Sequence, residues 1–409
     1  MNIEDIQGWF NFEKVYDIAI DNCKIDDEIV EVGCWLGRST AYLANIAQKK
    51  NIKIYAVDTW LGSENEKEHK ELISKMPTSL YELFLDNMFE LGFTETIKPI
   101  RALSVEASNN FSKNQLGFVF IDGDHRYLEV KNDIKAWYDK VRIGGIIGGH
   151  DYTNAEGVKY AVDELFYEHD VQFFKNSWYL IKTDKPLSLD QHAIIDAIDS
   201  KKRFAFSRFG DGEWKCILGI QGQNCDGHSF FPDMGYELRK ILLSEKNYRI
   251  GIQQLARELF NDKIDIVLSK NNLNINWDNS DLFHYLSKNF KLYDLFEIFD
   301  KNHTVMVGPN YLKEKFGYNK FIEVPEKNCW LSASKIKNEL IDYLINSKQE
   351  YTVILFVASM AANVLIDRVW RELPDMNFCL LDMGSVFDPY IGKSTRSYHN
   401  KMIERLQLV

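Results

Sequence analysis

Ten residues constrain this chain more than any others: Glu31-Val-Gly-Cys-Trp-Leu-Gly-Arg-Ser-Thr40. The apolar run from Glu28 leads into them, and Ala41-Tyr-Leu-Ala-Asn-Ile-Ala follows with helical spacing. That order predicts a strand, a tight glycine turn and a helix. Gly33 is free to take a positive φ and lets a ligand lie against bare backbone. Gly37 opens the helix, whose unpaired N–H groups and positive dipole end suit an anionic group. The spacing is G-x-x-x-G, not the G-x-G-x-x-G of a dinucleotide site, which disfavours a dehydrogenase. One strand later, Lys53-Ile-Tyr-Ala-Val-Asp58 ends in an acid able to accept both hydroxyls of a ribose. Turn plus acid describes a nucleoside ligand across the carboxyl ends of a parallel sheet. The alternative is an α/β unit whose glycines serve only close packing.

These residues resemble the fingerprint of class I S-adenosylmethionine (SAM) methyltransferases, E/D-x-G-x-x-x-G-x-S/T followed by an acid. The resemblance implies SAM as cofactor, with Glu31, Gly33, Gly37 and Ser39 at the turn and Asp58 on the ribose. Further strands are expected at 97–100, 117–122 and 145–148, with helices at 103–111, 127–141 and 155–169. A hairpin at 171–181 closes the series. This alternation predicts an α/β fold, a mostly parallel sheet with an antiparallel edge. It is similar to the seven-stranded, Rossmann-like doubly wound methyltransferase core over residues 1–183. In that family the adenine packs after the third strand, which implies Ser104 as a further cofactor contact. A charged, then amphipathic stretch at 62–92 is long enough for a lid; the alternative is a surface helix pair.

Asp122-Gly-Asp-His125 ends the fourth strand and His150-Asp151-Tyr152 the fifth. Neighbouring strand ends face one crevice, so Asp122 and Asp151 converge there. Two or three oxygen ligands with open positions suit a divalent cation, Mg²⁺ or Ca²⁺, able to bind a diol and lower a hydroxyl pKa. The arrangement is similar to the metal-dependent O-methyltransferases, which implies Asp122 and Asp151 as metal ligands and Asp122 near the sulfonium methyl. Tyr152 stands where that family has Asn. His125 stands where it has a lysine base, and an imidazole suits general-base work near pH 7. Asp124 has a plainer reading as a cap of the next helix.

Net charge is −11, which argues against a nucleic-acid backbone as the main partner. Six cysteines without a C-x-x-C read as free thiols of a reducing compartment. No signal peptide and no apolar run of membrane-spanning length stand out. A cytoplasmic protein is expected, with peripheral contact to the inner membrane open.

Thr183-Asp-Lys-Pro-Leu-Ser-Leu-Asp190 breaks the alternation, so a linker is placed at 184–190 and a second α/β domain at 191–409. Its strands are expected near 203–207, 248–252, 304–308, 352–357 and 378–382, with helices at 191–200, 212–218, 280–290, 332–347 and 360–371. The sharpest motif is Ser207-Arg-Phe-Gly-Asp-Gly-Glu213. Asp211 and Glu213, bracketing Gly212, suit one shared cation, and Arg208 suits a phosphate. Helix-start acids complementing the dipole are the alternative. The stretch resembles the GT-D fold glycosyltransferases, as does the ending Leu381-Asp-Met-Gly-Ser-Val-Phe-Asp388. That resemblance implies a nucleotide-sugar donor held by Arg208, Asp211, Glu213, Asp382 and Ser385, with Mg²⁺ or Mn²⁺ on the acid pair.

The leading expectation is a bifunctional transferase of bacterial surface-glycan assembly. It would O-methylate a sugar hydroxyl with SAM and transfer a sugar to a glycan acceptor. The alternatives are one active domain beside a recognition domain, and a non-catalytic nucleotide-binding scaffold. Oligomeric state is open.

Overall fold

The computed structural model describes residues 1–62, 67–244 and 247–406. The chain divides into two compact units, Met1–Leu187 and Ser188–Val409. The division falls inside the expected linker.

The first unit holds seven strands: β1 (Glu28–Val32), β2 (Lys53–Asp58), β3 (Ile97–Arg101), β4 (Leu116–Ile121), β5 (Val141–Gly149), β6 (Gln172–Phe174) and β7 (Ser177–Ile181). Their order across the sheet is β3-β2-β1-β4-β5-β7-β6. β1 to β5 run parallel, and β7 runs antiparallel to both β5 and β6. The antiparallel strand is therefore one in from the edge, not the edge itself. The tight turn returns the chain as β7, which pairs with the longer β5 and leaves the three-residue β6 outermost. β4 is buried along its whole length, as its run Leu-Gly-Phe-Val-Phe-Ile requires in a sheet covered on both faces.

Helices fill both faces. Arg38–Ala47 buries Ala41, Leu43, Ala44 and Ala47, and its small residues let it lie close to the sheet. Leu80–Glu90 starts at a capping box in which Ser79 accepts from the Glu82 N–H. It buries Leu80, Phe84 and Met88, so it is a core helix and not a lid. Residues 63–66 of the expected lid lie outside the described residues; Lys67–Ile73 is helical.

The second unit is a seven-stranded sheet with every pair parallel: β8 (Phe204–Phe209), β9 (Arg249–Ile252), β10 (Asp278–Asn279), β11 (Thr304–Pro309), β12 (Lys320–Val324), β13 (Thr352–Phe356) and β14 (Phe378–Asp382). The order is β10-β9-β8-β14-β13-β11-β12. The two strands that the sequence does not announce are the two edges. β10 has two residues and is fastened by Asp278, which accepts from Arg249 Nε at 2.7 Å and from the Leu189 N–H at 2.7 Å. All six cysteines are free thiols. Among the described residues no helix is long and apolar enough to cross a membrane.

Candidate active site

The glycine turn leaves β1 as expected, with Gly33 at φ +84° and Gly37 at φ +89°. What the missing Cβ atoms would meet is protein. At Gly33 a Cβ would collide with the Asp122 carbonyl oxygen, and at Gly37 it would come within 2.5 Å of Met88 Cε. Close packing thus accounts for both glycines, and it brings the end of β4 directly against the turn.

Asp58 ends β2 beside that turn. Its Oδ2 accepts from the N–H groups of Cys34 at 2.8 Å and Trp35 at 3.0 Å, and its Oδ1 accepts from Trp60 N–H at 2.7 Å. A carboxylate has about four lone-pair sites, so one remains. Asp58 is first the residue that holds the turn in shape, a role the sequence reading did not give it. Trp35 and Trp60 sit in the left-handed region at φ +49° and +51° on either side of this bond set.

Glu31 and Ser39 lie beneath the turn, at 1% and 8% exposure. Tyr16 Oη donates to Glu31 Oε1 at 2.6 Å, and burial raises the Glu31 carboxyl above its ordinary value against the opposing hydroxyls of Ser39, Thr40 and Tyr16. These residues shape the turn from inside. Ser104 opens the helix after β3, and its Oγ accepts from Trp137 Nε1 at 2.9 Å. Ser104 also bonds to Asp133, whose carboxyl burial pushes up to about 7. A neutral Asp133 therefore stabilises the fold below pH ~4, and that contribution fades as pH rises through about 7. Asp133→Asn is expected to raise the stability of the first unit at pH 8 relative to wild type by about 2 kcal/mol, and by little at pH 4. Thermal melts at the two pH values check this; an equal change at both would show that Asp133 does not titrate there.

β4 and β5 end side by side, Ile121 opposite Gly149, and this register delivers the acids and histidines to one point. Asp151 Oδ2 lies 3.1 Å from His125 Nε2 and 3.1 Å from His150 Nδ1, while His150 Nδ1 is 3.7 Å from Asp122 Oδ1. Burial pushes the Asp151 carboxyl up, but the hydrogen bonds from His125 and His150 outweigh it and hold it well below the usual range. Burial dominates at Asp122, which is pushed up to about 6 against the pull of His150. His150, although burial disfavours its cation, is raised above its ordinary value by Asp151 and Asp122. Asp151 holds this position at φ +59°.

Ligand atoms of Asp122, His125 and Asp151 all lie within 4.8 Å of one another, which fits a divalent cation. Tyr152 takes no part in the cluster's ion pairs; its hydroxyl donates to Asp163 Oδ1 at 2.6 Å. Asp124 accepts from the Arg126 N–H at 2.7 Å and from its guanidinium, which fixes the residue before the next helix but makes no cap bond to the helix itself, so the capping alternative is not met.

Residues 7–12 run across both halves of this site, which nothing in their sequence announced. Trp35 Nε1 donates to Gln7 Oε1, Arg38 Nη1 to the Gly8 carbonyl at 3.1 Å, and Asn11 Oδ1 lies 2.9 Å from His150 Nε2. Trp9 stacks on His69 at 5.2 Å, and His69 lies 4.5 Å from Trp35.

In the second unit, Arg208 is 9% exposed; its Nε donates to the Ser280 carbonyl at 2.7 Å, and Nη2 lies 3.2 Å from His284 Nδ1. Asp382 is 5% exposed, and burial pushes its carboxyl up to about 6. Ser385 lines a cavity of about 730 Å³. Asp211 and Glu213 do not line it. Asp211 Oδ2 pairs with Lys215 Nζ at 2.6 Å, and Glu213 Oε2 caps its own helix by accepting from the Gly210 N–H at 2.8 Å. Burial pushes the Glu213 carboxyl up to about 7, and among the described residues no group of three metal-ligating side chains includes either acid. The helix-start alternative describes both.

Residues 30–152 match a family model described as a methyltransferase domain. No curated protein matches the chain. Among solved structures, the O-methyltransferase NovP is 17% identical over 42% of this chain and 79% of its own, with a TM-score of 0.34. A SAM-dependent O-methyltransferase from Thermotoga maritima is 17% identical over 42% of this chain and 57% of its own, with a TM-score of 0.30. Likeness of that degree carries no argument about chemistry. The stretch that matches the methyltransferase-domain model holds the glycine turn, Asp58 and the acid–histidine cluster.

Proposed function

We propose that the first unit transfers a methyl group from SAM to a hydroxyl of a sugar-like acceptor. The observation that carries this is the cluster of Asp122, His125 and Asp151 packed against the glycine turn through the Gly33–Asp122 backbone contact. SAM supplies an electrophilic methyl on a cationic sulfur when bound. Asp58 holds the turn N–H groups in place and keeps one lone-pair site for a ribose hydroxyl. Asp151 orients His125 through Nε2, as a carboxylate orients the imidazole of a catalytic dyad, and the imidazole so held is the base for the acceptor's hydroxyl proton. A divalent cation on Asp122 and Asp151 would lower the pKa of that hydroxyl.

The reading for the second unit is glycosyl transfer from a nucleotide sugar, in assembly of a bacterial surface glycan. Its support is the all-parallel sheet with a cavity just past the ends of β11 (Pro309), β13 (Val357) and β14 (Gly384), where open α/β sheets hold ligands. At about 730 Å³ the cavity is in the range of small-molecule sites.

Calorimetry on the full chain with SAM, NAD and a nucleotide-sugar panel tests both halves. Heat from SAM but not NAD is expected, and heat from at least one nucleotide sugar. SAM alone leaves a single-activity methyltransferase, and no heat from any leaves a scaffold. Asp58→Ala is expected to weaken SAM binding about 30-fold, by loosening three N–H groups as well as losing the ribose. Unchanged affinity would remove Asp58 from the site.

A further inference from the structure

The D-x-E acids of the second unit do not have the form of a metal site. Both Asp211 and Glu213 are spent on protein partners, and neither reaches the cavity. The cavity instead gathers cations and unpaired donors. Lys327 and Lys393 line it, and neither has a carboxylate partner within ion-pair distance among the described residues. Lys393 Nζ is held 3.2 Å from the centre of the Tyr311 ring. At the floor is Gly384, at φ +57°, and behind it, outside the cavity lining, is Arg208, whose Nη1 a Cβ at Gly384 would approach within 2.5 Å. That Nη1 is buried and has no hydrogen-bond partner, although the other guanidinium nitrogens are used. The next residue, Ser385, is 8% exposed and its Oγ is likewise buried without a partner. A buried donor left unmade is costly, and Arg208 Nη1 and Ser385 Oγ both call for an acceptor.

Acids line the cavity too, and most are already committed. Asp226 is held by both terminal nitrogens of Arg396, at 2.9 Å for Nη2. Asp388 accepts from Thr395 Oγ1 and from Tyr311 Oη at 3.2 Å. Of these acids, among the described residues, only Asp226 is paired with a cation, so Glu326, exposed at the rim, and Asp388, whose partners are uncharged hydroxyls, stand against the two lysines.

Resting on the glycosyl-transfer reading, we infer that the second unit holds its donor's diphosphate in this cavity by side chains alone. Lys327 and Lys393 would act at the walls and Ser385 at the floor, with Arg208 behind Gly384 adding its charge from below and no divalent cation on Asp211 and Glu213. Guanidinium and ammonium groups then carry the charge of the departing nucleoside diphosphate.

The test is calorimetry of the full chain with inorganic pyrophosphate and with a nucleoside diphosphate, in EDTA and in Mg²⁺. Binding is expected in EDTA, within about threefold of its strength in Mg²⁺. Lys327→Ala and Lys393→Ala, at positions outside the core, are each expected to weaken it about tenfold. Ser385→Ala is expected to weaken it too, with circular dichroism as the check on folding. Asp211→Asn is expected to leave it within twofold. Binding that requires Mg²⁺, that is lost in Asp211→Asn, or that is absent under both conditions overturns the inference. Pyrophosphate binding in EDTA without affinity for any nucleotide sugar leaves the inference standing and removes the glycosyl-transfer reading. Mg²⁺-dependent binding of a nucleotide sugar does the reverse.

Discussion

His125→Ala is expected to slow methyl transfer by a factor of roughly 10²–10⁴ while SAM affinity stays within a few-fold of wild type. The geometry separates the two effects. His125 stands on the segment after β4, 3.1 Å from Asp151, whereas the bonds that shape the cofactor side of the turn come from Asp58 on β2. Loss of the imidazole removes a proton acceptor but leaves the turn intact. Asp151→Asn is expected to lie between wild type and His125→Ala, because an amide still meets His125 but no longer favours the imidazolium formed during transfer. The measurement is labelled methyl transfer from SAM to a panel of free and nucleotide-linked sugars, beside calorimetric SAM binding. Equal activity in wild type and His125→Ala would assign the base elsewhere.

Gly33→Ala is expected to destabilise the first unit by about 4 kcal/mol or to prevent its folding. Two costs combine. An alanine at φ +84° carries left-handed strain of roughly 1–2 kcal/mol. Its methyl also has to displace the Asp122 carbonyl, which is backbone at the end of a fully buried strand and has nowhere to go. Thermal unfolding of the full chain, followed by tryptophan fluorescence, reads the loss. Gly92→Ala is the contrast: its φ is +75° but nothing lies within 4 Å, so only the strain is expected. A similar loss at both positions would show that the Asp122 contact does not matter.

The first unit was legible because each of its landmarks is a short-range pattern. An apolar run ending in Gly33, one ending in Asp58 and one ending in Asp122 are strand ends, and strand ends are where a parallel sheet places its ligands. The partners of those side chains were not legible. That Asp58 spends two bonds on the turn, or that Asn11 meets His150, depends on residues 23 to 139 positions apart. In the second unit, Asp211-Gly-Glu213 drew attention because acids spaced by one residue are a local signal. The cap that Glu213 makes to the Gly210 N–H is just as local, but the burial that closes this acid off from a ligand is not. Conversely, Lys393-Ser-Thr-Arg396 is a basic, hydroxyl-rich run beside Gly392, and it could have been read as a ligand wall. β10 and β12 escaped because edge strands are short or carry charges at their ends.

The path of residues 7–12 bears on how this protein is handled at the bench. A shortened version starting at Glu13 would keep every strand and the first long helix, and would pass as a trimmed catalytic core. It would nevertheless lack the acceptor opposite His150, the anchor of the Trp35 indole and the carbonyl that steadies Arg38. Affinity tags belong at the other end of the chain.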